Sequence, residues 1–168
     1  MGTAFRIGQG FDFHRFSDDP SRLLVLGGVS IEGARGLAGH SDADVVAHAL
    51  ADSLLGAGGL GDIGDHFPET DPALEGADSI DLLRRSVILA ADSGVVAVNA
   101  DCTVIADQPR LAPFKEQMVA NLSAALGAPV SVKATTTEGL GLMGNGEGIA
   151  CMAVMLARTL TGTLLPEP

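Results

Sequence analysis

The spacing of apolar and polar residues along the chain predicts short strands and helices that follow one another. Alternation with a period of two, and compact apolar runs, predict strands at residues 5–14, 23–26, 29–31, 95–106, 130–135 and 149–160. A helical spacing of apolar residues predicts helices from 41 or 42 to 55, from 78 or 79 to 91, and from 113 to 126. Because strands and helices alternate without a linker, we expect one α/β (α+β) domain over residues 1–168, with a single layer of helices on a mixed β-sheet.

Two segments of this pattern call for more than internal packing. The last predicted strand contains IACMAVMLA, which is apolar on both faces, so either another layer or copies of the same chain cover its outer face. A symmetric oligomer is one of these two expectations. The polar segment 60–79, LGDIGDHFPETDPALEGADS, is too long for a plain connection, which indicates a functional or mobile loop.

Net charge and cysteine content indicate which kinds of binding partner and which cellular compartment suit this protein. The formal net charge of −11 argues against nucleic acid as a partner, and an anionic substrate would need metal ions or helix N-termini to receive it. Cys102 and Cys151 form no metal-binding spacing and are expected to be buried free thiols. No apolar run approaches the roughly 18 residues that span a bilayer, and no secretory signal opens the chain. These features predict a soluble, cytoplasmic protein without a membrane partner.

Three residues form a candidate metal site. In GFDFHRF, Asp12 and His14 stand two apart on a predicted strand and therefore share one face. His48 lies on the first predicted helix, four residues after Asp44 and on the same helical face. Each pair alone is explained by a local ion pair. Taken together, one carboxylate and two imidazoles suit a catalytic zinc with its fourth position open, with Asp44 as a candidate outer partner of His48.

Two further sets of side chains suit phosphate and a second ion. The sequence SDAD, residues 41–44, resembles a capping box at the start of the first predicted helix. His40 directly precedes this motif, so its side chain is expected near a helix N-terminus that favours anions. After the predicted strand 130–135, TTTE offers hydroxyls for phosphate and the carboxylate of Glu138 for Mg²⁺ or Mn²⁺. Three threonines also simply favour a strand. His66, in the long polar segment, has no comparable partner and is expected to be an ordinary side chain.

Five blocks of sequence together resemble one known family. GFDFHRF, GHSDADVVAHAL, GDIGDHFPETDP, KATTTEGLG and GEGIAC occur in the order and at the separations of the 2-C-methyl-D-erythritol 2,4-cyclodiphosphate synthases, over nearly the whole chain. The resemblance implies a homotrimer whose sheets pack together, with an active site between each adjacent pair of subunits. It also implies closure of a cyclic diphosphate from 4-diphosphocytidyl-2-C-methyl-D-erythritol 2-phosphate, a small-molecule nucleotide-diphosphate substrate, with release of CMP.

The resemblance implies roles for residues that match the motifs. Zinc or a similar divalent ion is expected at Asp12, His14 and His48, and Mg²⁺ or Mn²⁺ at Glu138. His40 and Thr136 are expected to act in catalysis by steadying the transition state. Substrate is expected to contact Asp12, His14, His40, Ser41, Asp62, Ile63, Gly64, Phe67, Pro68, Glu69, Thr70 and Asp71. The neighbouring subunit's cytidine pocket is expected to use Ala106, Asp107, Gln108, Pro109, Arg110, Leu111, Ala112, Ala134, Thr135 and Thr136. Thr137 and Glu138 are also expected to contact substrate.

The chain departs from the family pattern at three positions. Arg110 replaces a common lysine in the cytidine loop, which keeps the charge and changes the geometry. Leu142 and Asn145 replace an aromatic residue and an arginine at positions proposed to hold an isoprenoid diphosphate on the trimer axis, and the loss of the arginine weakens the case for such a ligand in this chain. Two rival functions fit the same ligand types: a metal-dependent phosphohydrolase, and a non-catalytic trimeric module with a structural metal.

Overall fold

The computed structural model describes residues 4–139 and 146–160, and Leu142 and Asn145 lie outside this part of the chain. The strands among these described residues are β1 (Phe5–Arg15), β2 (Leu24–Leu26), β3 (Val29–Ile31), β4 (Val95–Ile105), β5 (Val130–Thr135) and β6 (Gly148–Thr159). The α-helices in the same part of the chain are α1 (Val45–Gly58), α2 (Ile63–His66), α3 (Ser79–Asp92) and α4 (Lys115–Leu126). The predicted α/β class and the mixed sheet with helices packed on it are confirmed.

The main sheet has the strand order β1-β6-β4-β5, and β2 and β3 form a separate hairpin. β4 and β5 run parallel, while β1 and β4 each pair antiparallel with β6. Gly27 and Gly28 both have positive φ, at 57° and 69°, which is the backbone that a tight two-residue hairpin turn requires. Aligned rungs cross the whole sheet, and one of them joins Asp12, Cys151, Val104 and Ala134.

Strand β1 presents two different faces. Gly8, Gly10, Asp12 and His14 point toward the helices, because they alternate with outward residues and pair with residues of β6 that are buried. Helix α1 lies directly on the two glycines: a Cβ added at Gly10 would sit 1.8 Å from the carbonyl oxygen of Ala49. The absence of two side chains therefore lets α1 approach the strand that carries Asp12.

The other face of the sheet is apolar and exposed at β1 and β6. Exposed large side chains on this face are Phe5, Ile7, Phe11, Phe13, Met152 and Val154. Ile7 is 76% exposed and Phe13 is 63% exposed, which is unusual for side chains of this size. These six residues therefore mark the part of the sheet where the expected outer cover would lie.

The first helix begins later than predicted. Asp44, and not Ser41 or Asp42, is the N-cap of α1, and its carboxylate accepts the N–H groups of Val46 and Ala47. The same carboxylate accepts the N–H groups of Gly27 and Gly28 at 2.9 and 2.7 Å. Burial raises the pKa of Asp44 although these donors oppose the shift. Asp44 therefore ties the hairpin turn to the start of α1, which the local motif did not reveal.

Other boundaries were displaced where short turns intervene. The segment 60–79 contains α2 and a 3₁₀ turn over Pro72–Leu74, and Leu74 packs with Phe67 and Leu82 in a small core. Helix α4 begins at Lys115 rather than at residue 113. Helix α3 begins at Ser79 with Asp78 as its N-cap, as predicted. Among the described residues, no helix is both long enough and apolar enough to cross a membrane.

Candidate metal site and active-site cavity

Asp12, His14 and His48 converge as the sequence predicted. One oxygen of Asp12, Oδ2, lies 3.0 Å from Nδ1 of His48 and 3.3 Å from Nε2 of His14. One ligand atom from each residue lies within 4.8 Å of the other two. Three donors at this spacing fit a small divalent ion such as zinc, and three protein ligands leave a coordination position for substrate or water.

Hydrogen bonds on the far side of each imidazole fix which nitrogen faces the site. Nδ1 of His14 lies 2.6 Å from the carbonyl oxygen of Ala38, which can only accept, so Nδ1 carries the proton and Nε2 faces Asp12. Nε2 of His48 lies 2.8 Å from the hydroxyl of Ser79. The expectation that Asp44 supports His48 is wrong, because the carboxylate of Asp44 binds four backbone N–H groups instead.

The cluster has an electrostatic character suited to a cation. Burial opposes ionisation of Asp12, yet the neighbouring imidazoles of His14 and His48 hold the pKa of this carboxyl well below its usual range. Burial lowers the pKa of His14, but its contact with Asp12 outweighs burial and raises it overall. A carboxylate ionised at every ordinary pH supplies the negative charge that a bound cation requires.

The cluster lies in a cavity of about 430 Å³. Several residues predicted to contact substrate line this cavity, namely Asp12, His14, His40, Ser41, Ile63, Gly64, Phe67 and Glu69. Phe13, Leu74 and Leu82 complete the apolar part of the wall. Asp62, Pro68, Thr70 and Asp71 belong to the same segment without lining the cavity. Asp62 caps α2, and the carbonyl of Asp71 lies 2.9 Å from Nε2 of His40.

The N-terminus of α1 is not a free anion site. The sequence placed His40 beside that helix end because its N–H groups attract anions, but Asp44 already accepts two of them. The hydroxyl of Ser41 lies 3.2 Å from Nε2 of His48 and accepts the N–H of Ala43 at 3.1 Å. His40 and Ser41 thus reach the cavity as side chains and not through a helix dipole.

The second predicted set of residues gathers where β4 and β5 end. The carboxylate of Asp107 accepts both the N–H and the hydroxyl of Thr137, at 2.9 Å each. The hydroxyl of Thr136 donates to Oε1 of Glu138 at 2.7 Å. Glu138 has a φ of +53°, a backbone conformation that L-residues adopt rarely and that is enriched at functional sites. The hydrogen bonds join the predicted cytidine-loop segment to TTTE.

Within one chain the two sets of residues are separate. Among the described residues, none from 106–112 or 134–138 lines the cavity that holds Asp12. Strands β6 and β4 lie between β1 and β5, so three strand spacings, about 14 Å, separate the backbones of Asp12 and Ala134.

Four residues that support the metal cluster were not predicted. Ala38 and Ser79 bind the two histidine rings, and Gly8 and Gly10 admit helix α1. The glycines left a signal, since GQGFDFH places Gly8, Gly10, Asp12 and His14 on one strand face. No local sequence pattern indicated Ser79, because it lies 31 positions from His48.

Comparisons with known proteins agree with this architecture. The sequence matches the YgbB family over residues 5–158. A 2-C-methyl-D-erythritol 2,4-cyclodiphosphate synthase of Geobacillus kaustophilus is 56% identical over 155 residues, 90% of this chain and 97% of that protein. A CDP complex of IspF from Plasmodium falciparum has a TM-score of 0.79 and 34% identity over 94% of this chain and 97% of its own. The bifunctional IspDF of Campylobacter jejuni has a TM-score of 0.88 and 40% identity over 95% of this chain, which spans 43% of that longer one.

The fold and the site define an α/β protein with a candidate Asp-His-His metal site in a cavity of about 430 Å³. Because the family match extends over nearly all of the sequence, the chain belongs to the YgbB family.

Proposed function

We propose that the chain converts 4-diphosphocytidyl-2-C-methyl-D-erythritol 2-phosphate into 2-C-methyl-D-erythritol 2,4-cyclodiphosphate and CMP. This is a phosphorus–oxygen lyase reaction that supplies isoprenoid precursors by the non-mevalonate route. The observation that carries the proposal is the convergence of Asp12, His14 and His48 in one cavity, in a chain 56% identical to a synthase of that name. A cytoplasmic location belongs to the same proposal and is supported by the buried free thiols of Cys102 and Cys151.

The reaction needs positioning more than proton transfer. An oxygen of the substrate's 2-phosphate forms a bond to the β-phosphorus, and the bond from that phosphorus to the oxygen of CMP breaks. The electron pair of the broken bond leaves with CMP. Because the attacking oxygen is already ionised at neutral pH, no side chain has to remove its proton. Holding the reacting atoms in line supplies roughly 7–11 kcal/mol of the barrier in favourable cases.

Two separate groups of charged and polar side chains would hold the two phosphate groups of the substrate. Asp12, His14 and His48 would hold zinc or a similar ion, and Glu138 would hold Mg²⁺ or Mn²⁺. Such ions, when bound, offset phosphate repulsion and accept charge that develops on the phosphate oxygens. This matters in a protein with a formal net charge of −11. In this proposal His40 and Thr136 exchange their partners in the structure, the carbonyl of Asp71 and the carboxylate of Glu138, for phosphate oxygens, to which they then donate hydrogen bonds.

We further propose a homotrimer in which each active site forms between adjacent subunits. Two features support it. The outer face of the sheet exposes large apolar side chains such as Ile7 and Phe13, which favours burial against another copy. The set that includes Glu138 also lies across the sheet from Asp12, so a neighbour's copy of that set completes the cavity. Residues 106–112 and 134–136 then bind the cytidine of a substrate whose phosphates lie at Asp12.

Phosphorus NMR of the purified protein tests the reaction directly. With zinc, magnesium and the named substrate, we expect the coupled signals of a cyclic diphosphate to rise in step with CMP. CMP accompanied only by linear phosphates would instead identify a metal-dependent phosphohydrolase. Bound zinc without any turnover would leave a non-catalytic trimeric metal-binding module. The variant His48→Ala is expected to lose both zinc and turnover.

A further inference from the structure

The imidazole of His48 meets the metal site with one edge and a buried hydroxyl pair with the other. Nδ1 faces Asp12, while Nε2 lies 2.8 Å from Ser79 and 3.2 Å from Ser41. Ser79 is the first residue of α3 and is 1% exposed. The side chain that contacts the far edge of His48 therefore comes from a different helix, which is fixed in place by its own cap.

The proton of the Ser79 hydroxyl has a defined acceptor. The carboxylate of Asp42 accepts the hydroxyl of Ser79, and it also accepts the backbone N–H groups of Ser79 and Asp44 at 3.2 Å each. An ionised carboxylate can only accept, so the hydroxyl of Ser79 donates to Asp42. Its lone pairs then face His48. A hydroxyl in this orientation accepts a hydrogen bond from the N–H at Nε2 and does not donate one to it.

We propose that Asp42 and Ser79 are positioning residues that select the tautomer of His48 with the proton on Nε2 and the lone pair on Nδ1. Only this tautomer presents a free lone pair to a metal ion beside Asp12. The inference rests on the metal site of the proposed function. It assigns to residues 42 and 79 a role that neither the ligand set nor the cavity requires of them.

The selection matters because Asp12 favours the opposite tautomer, in which Nδ1 carries the proton. Oδ2 of Asp12 lies 3.0 Å from Nδ1, so a neutral imidazole without a good acceptor at Nε2 would place its proton between Nδ1 and Asp12. That proton occupies the ligand position. Ser41 does not replace Ser79, because no carboxylate fixes its hydroxyl proton, and that proton can point at Nε2 and favour the wrong tautomer.

His14 shows the same arrangement with a main-chain acceptor. The carbonyl of Ala38 holds the proton on Nδ1 of His14 and leaves Nε2 for the metal. A carbonyl cannot be removed by substitution, whereas the hydroxyl of Ser79 can. The two histidines thus use opposite ring nitrogens as ligands, each selected by an acceptor outside the cluster, and only the selection at His48 is open to mutation.

Zinc affinity, measured by competition with a chromophoric chelator, tests the inference without reference to turnover. We expect Ser79→Ala to weaken zinc binding about 10-fold or more, the usual effect of losing a partner behind a metal-binding histidine. Asp42→Asn should weaken it in the same direction, about threefold or more, because an amide can turn its N–H toward Ser79 and reverse the hydroxyl. The visible absorption of bound Co²⁺ should change in both variants, since it reports the ligand geometry.

Asp78→Ala is the matched control. Asp78 caps α3 one residue before Ser79, through the N–H of Ile80, and its carboxylate makes no contact with the histidine. This variant should lower the melting temperature while zinc affinity stays within about twofold of the parent. A merely structural role for Ser79 would instead make affinity follow stability, so that Asp78→Ala and Ser79→Ala lose zinc alike.

The remaining outcomes separate the inference from the function it rests on. Wild-type affinity in folded Ser79→Ala, or equal zinc loss in the control, overturns the role of Ser79 and leaves the metal site intact. If Ser79→Ala fails to fold, Asp42→Asn decides alone, and an affinity within about twofold of the parent overturns the inference. Failure of the parent protein to bind zinc overturns the metal site and the inference together.

Discussion

Single carboxylates do several structural tasks in this protein, and Asp44 is the clearest case. Its side chain accepts four backbone N–H groups, two from the start of α1 and two from the hairpin turn. It is completely buried, and three of the four donors belong to buried residues. The sequence assigned Asp44 to His48 because the two lie four apart on a helix. Since helix α1 starts only after Asp44, its carboxylate is directed to the helix end rather than along the helix face.

We expect Asp44→Asn to destabilise the protein by about 2 kcal/mol, because an amide offers one acceptor oxygen where four buried donors converge. Asp78→Asn is the matched control, since Asp78 is an exposed N-cap and asparagine caps as well as aspartate. Denaturant unfolding at neutral pH measures both. Equal and small losses in the two variants would contradict the role assigned to Asp44.

At the scale of elements, the contact between β1 and α1 sets the geometry of the metal cluster. Two ligands lie on the strand and the third lies on the helix, so the separation of the two elements fixes the distance between Asp12 and His48. Gly8 and Gly10 allow that separation to be small, because a Cβ at either position would lie within 2 Å of a carbonyl oxygen of α1. The glycines are therefore part of the metal site although they bind nothing.

Gly10→Ala is expected to cost about 3 kcal/mol or more of unfolding free energy, since α1 must move away from the strand. The same movement should weaken zinc binding. Gly56→Ala is the control on the same helix: its Cβ would meet only the carbonyl of Gln9, at 3.7 Å, and alanine should stabilise the helix by about 0.5–1 kcal/mol. Unfolding and zinc titrations of the two variants give the comparison. Unchanged zinc affinity in Gly10→Ala would contradict this account.

Regular elements were predictable from the sequence, and tertiary contacts were not. The strand pattern placed Asp12 and His14 on one face because a period of two needs no knowledge of the rest of the fold. The predicted start of α1 was wrong because Ser41 and Asp42 have side chains that cap helices well but make other contacts here. The carboxylate of Asp42 accepts hydrogen bonds from Ser79, at the start of α3. Helix α2 was missed because a four-residue helix has too little periodicity to detect. Ser79 could be found only after folding had brought α3 to His48.

At the scale of the whole molecule, a candidate metal site and an uncovered sheet face occur together. The cavity at Asp12 contains apolar and candidate metal-binding groups, while the threonines and Glu138 lie at the end of β5, three strands across the sheet from β1. The face that exposes Phe11 and Val154 offers a surface for the copies that would complete the site. A single assembly step would then both cover the face and create the active site.

Mixing two inactive variants tests this arrangement. His48→Ala and Glu138→Ala are each expected to be inactive alone. If every site combines His48 of one subunit with Glu138 of its neighbour, unfolding and refolding an equal mixture should restore activity at roughly a quarter of the sites. Steady-state CMP release measures the recovery, and each variant refolded alone is the control. No recovery in a mixture shown to form trimers would place both residues of a working site in the same chain.

The two faces of β1 have a consequence for errors in folding. Residues that face helix α1, including the candidate ligands Asp12 and His14, alternate with residues that would meet another subunit along the same eleven positions, Phe5–Arg15. A strand paired one residue out of register would turn the phenylalanines under α1 and the ligands outward, so both faces would fail at once. A chain misfolded in this way would neither assemble with other subunits nor bind a metal ion. In the proposed trimer, assembly would therefore select chains whose candidate metal ligands face helix α1.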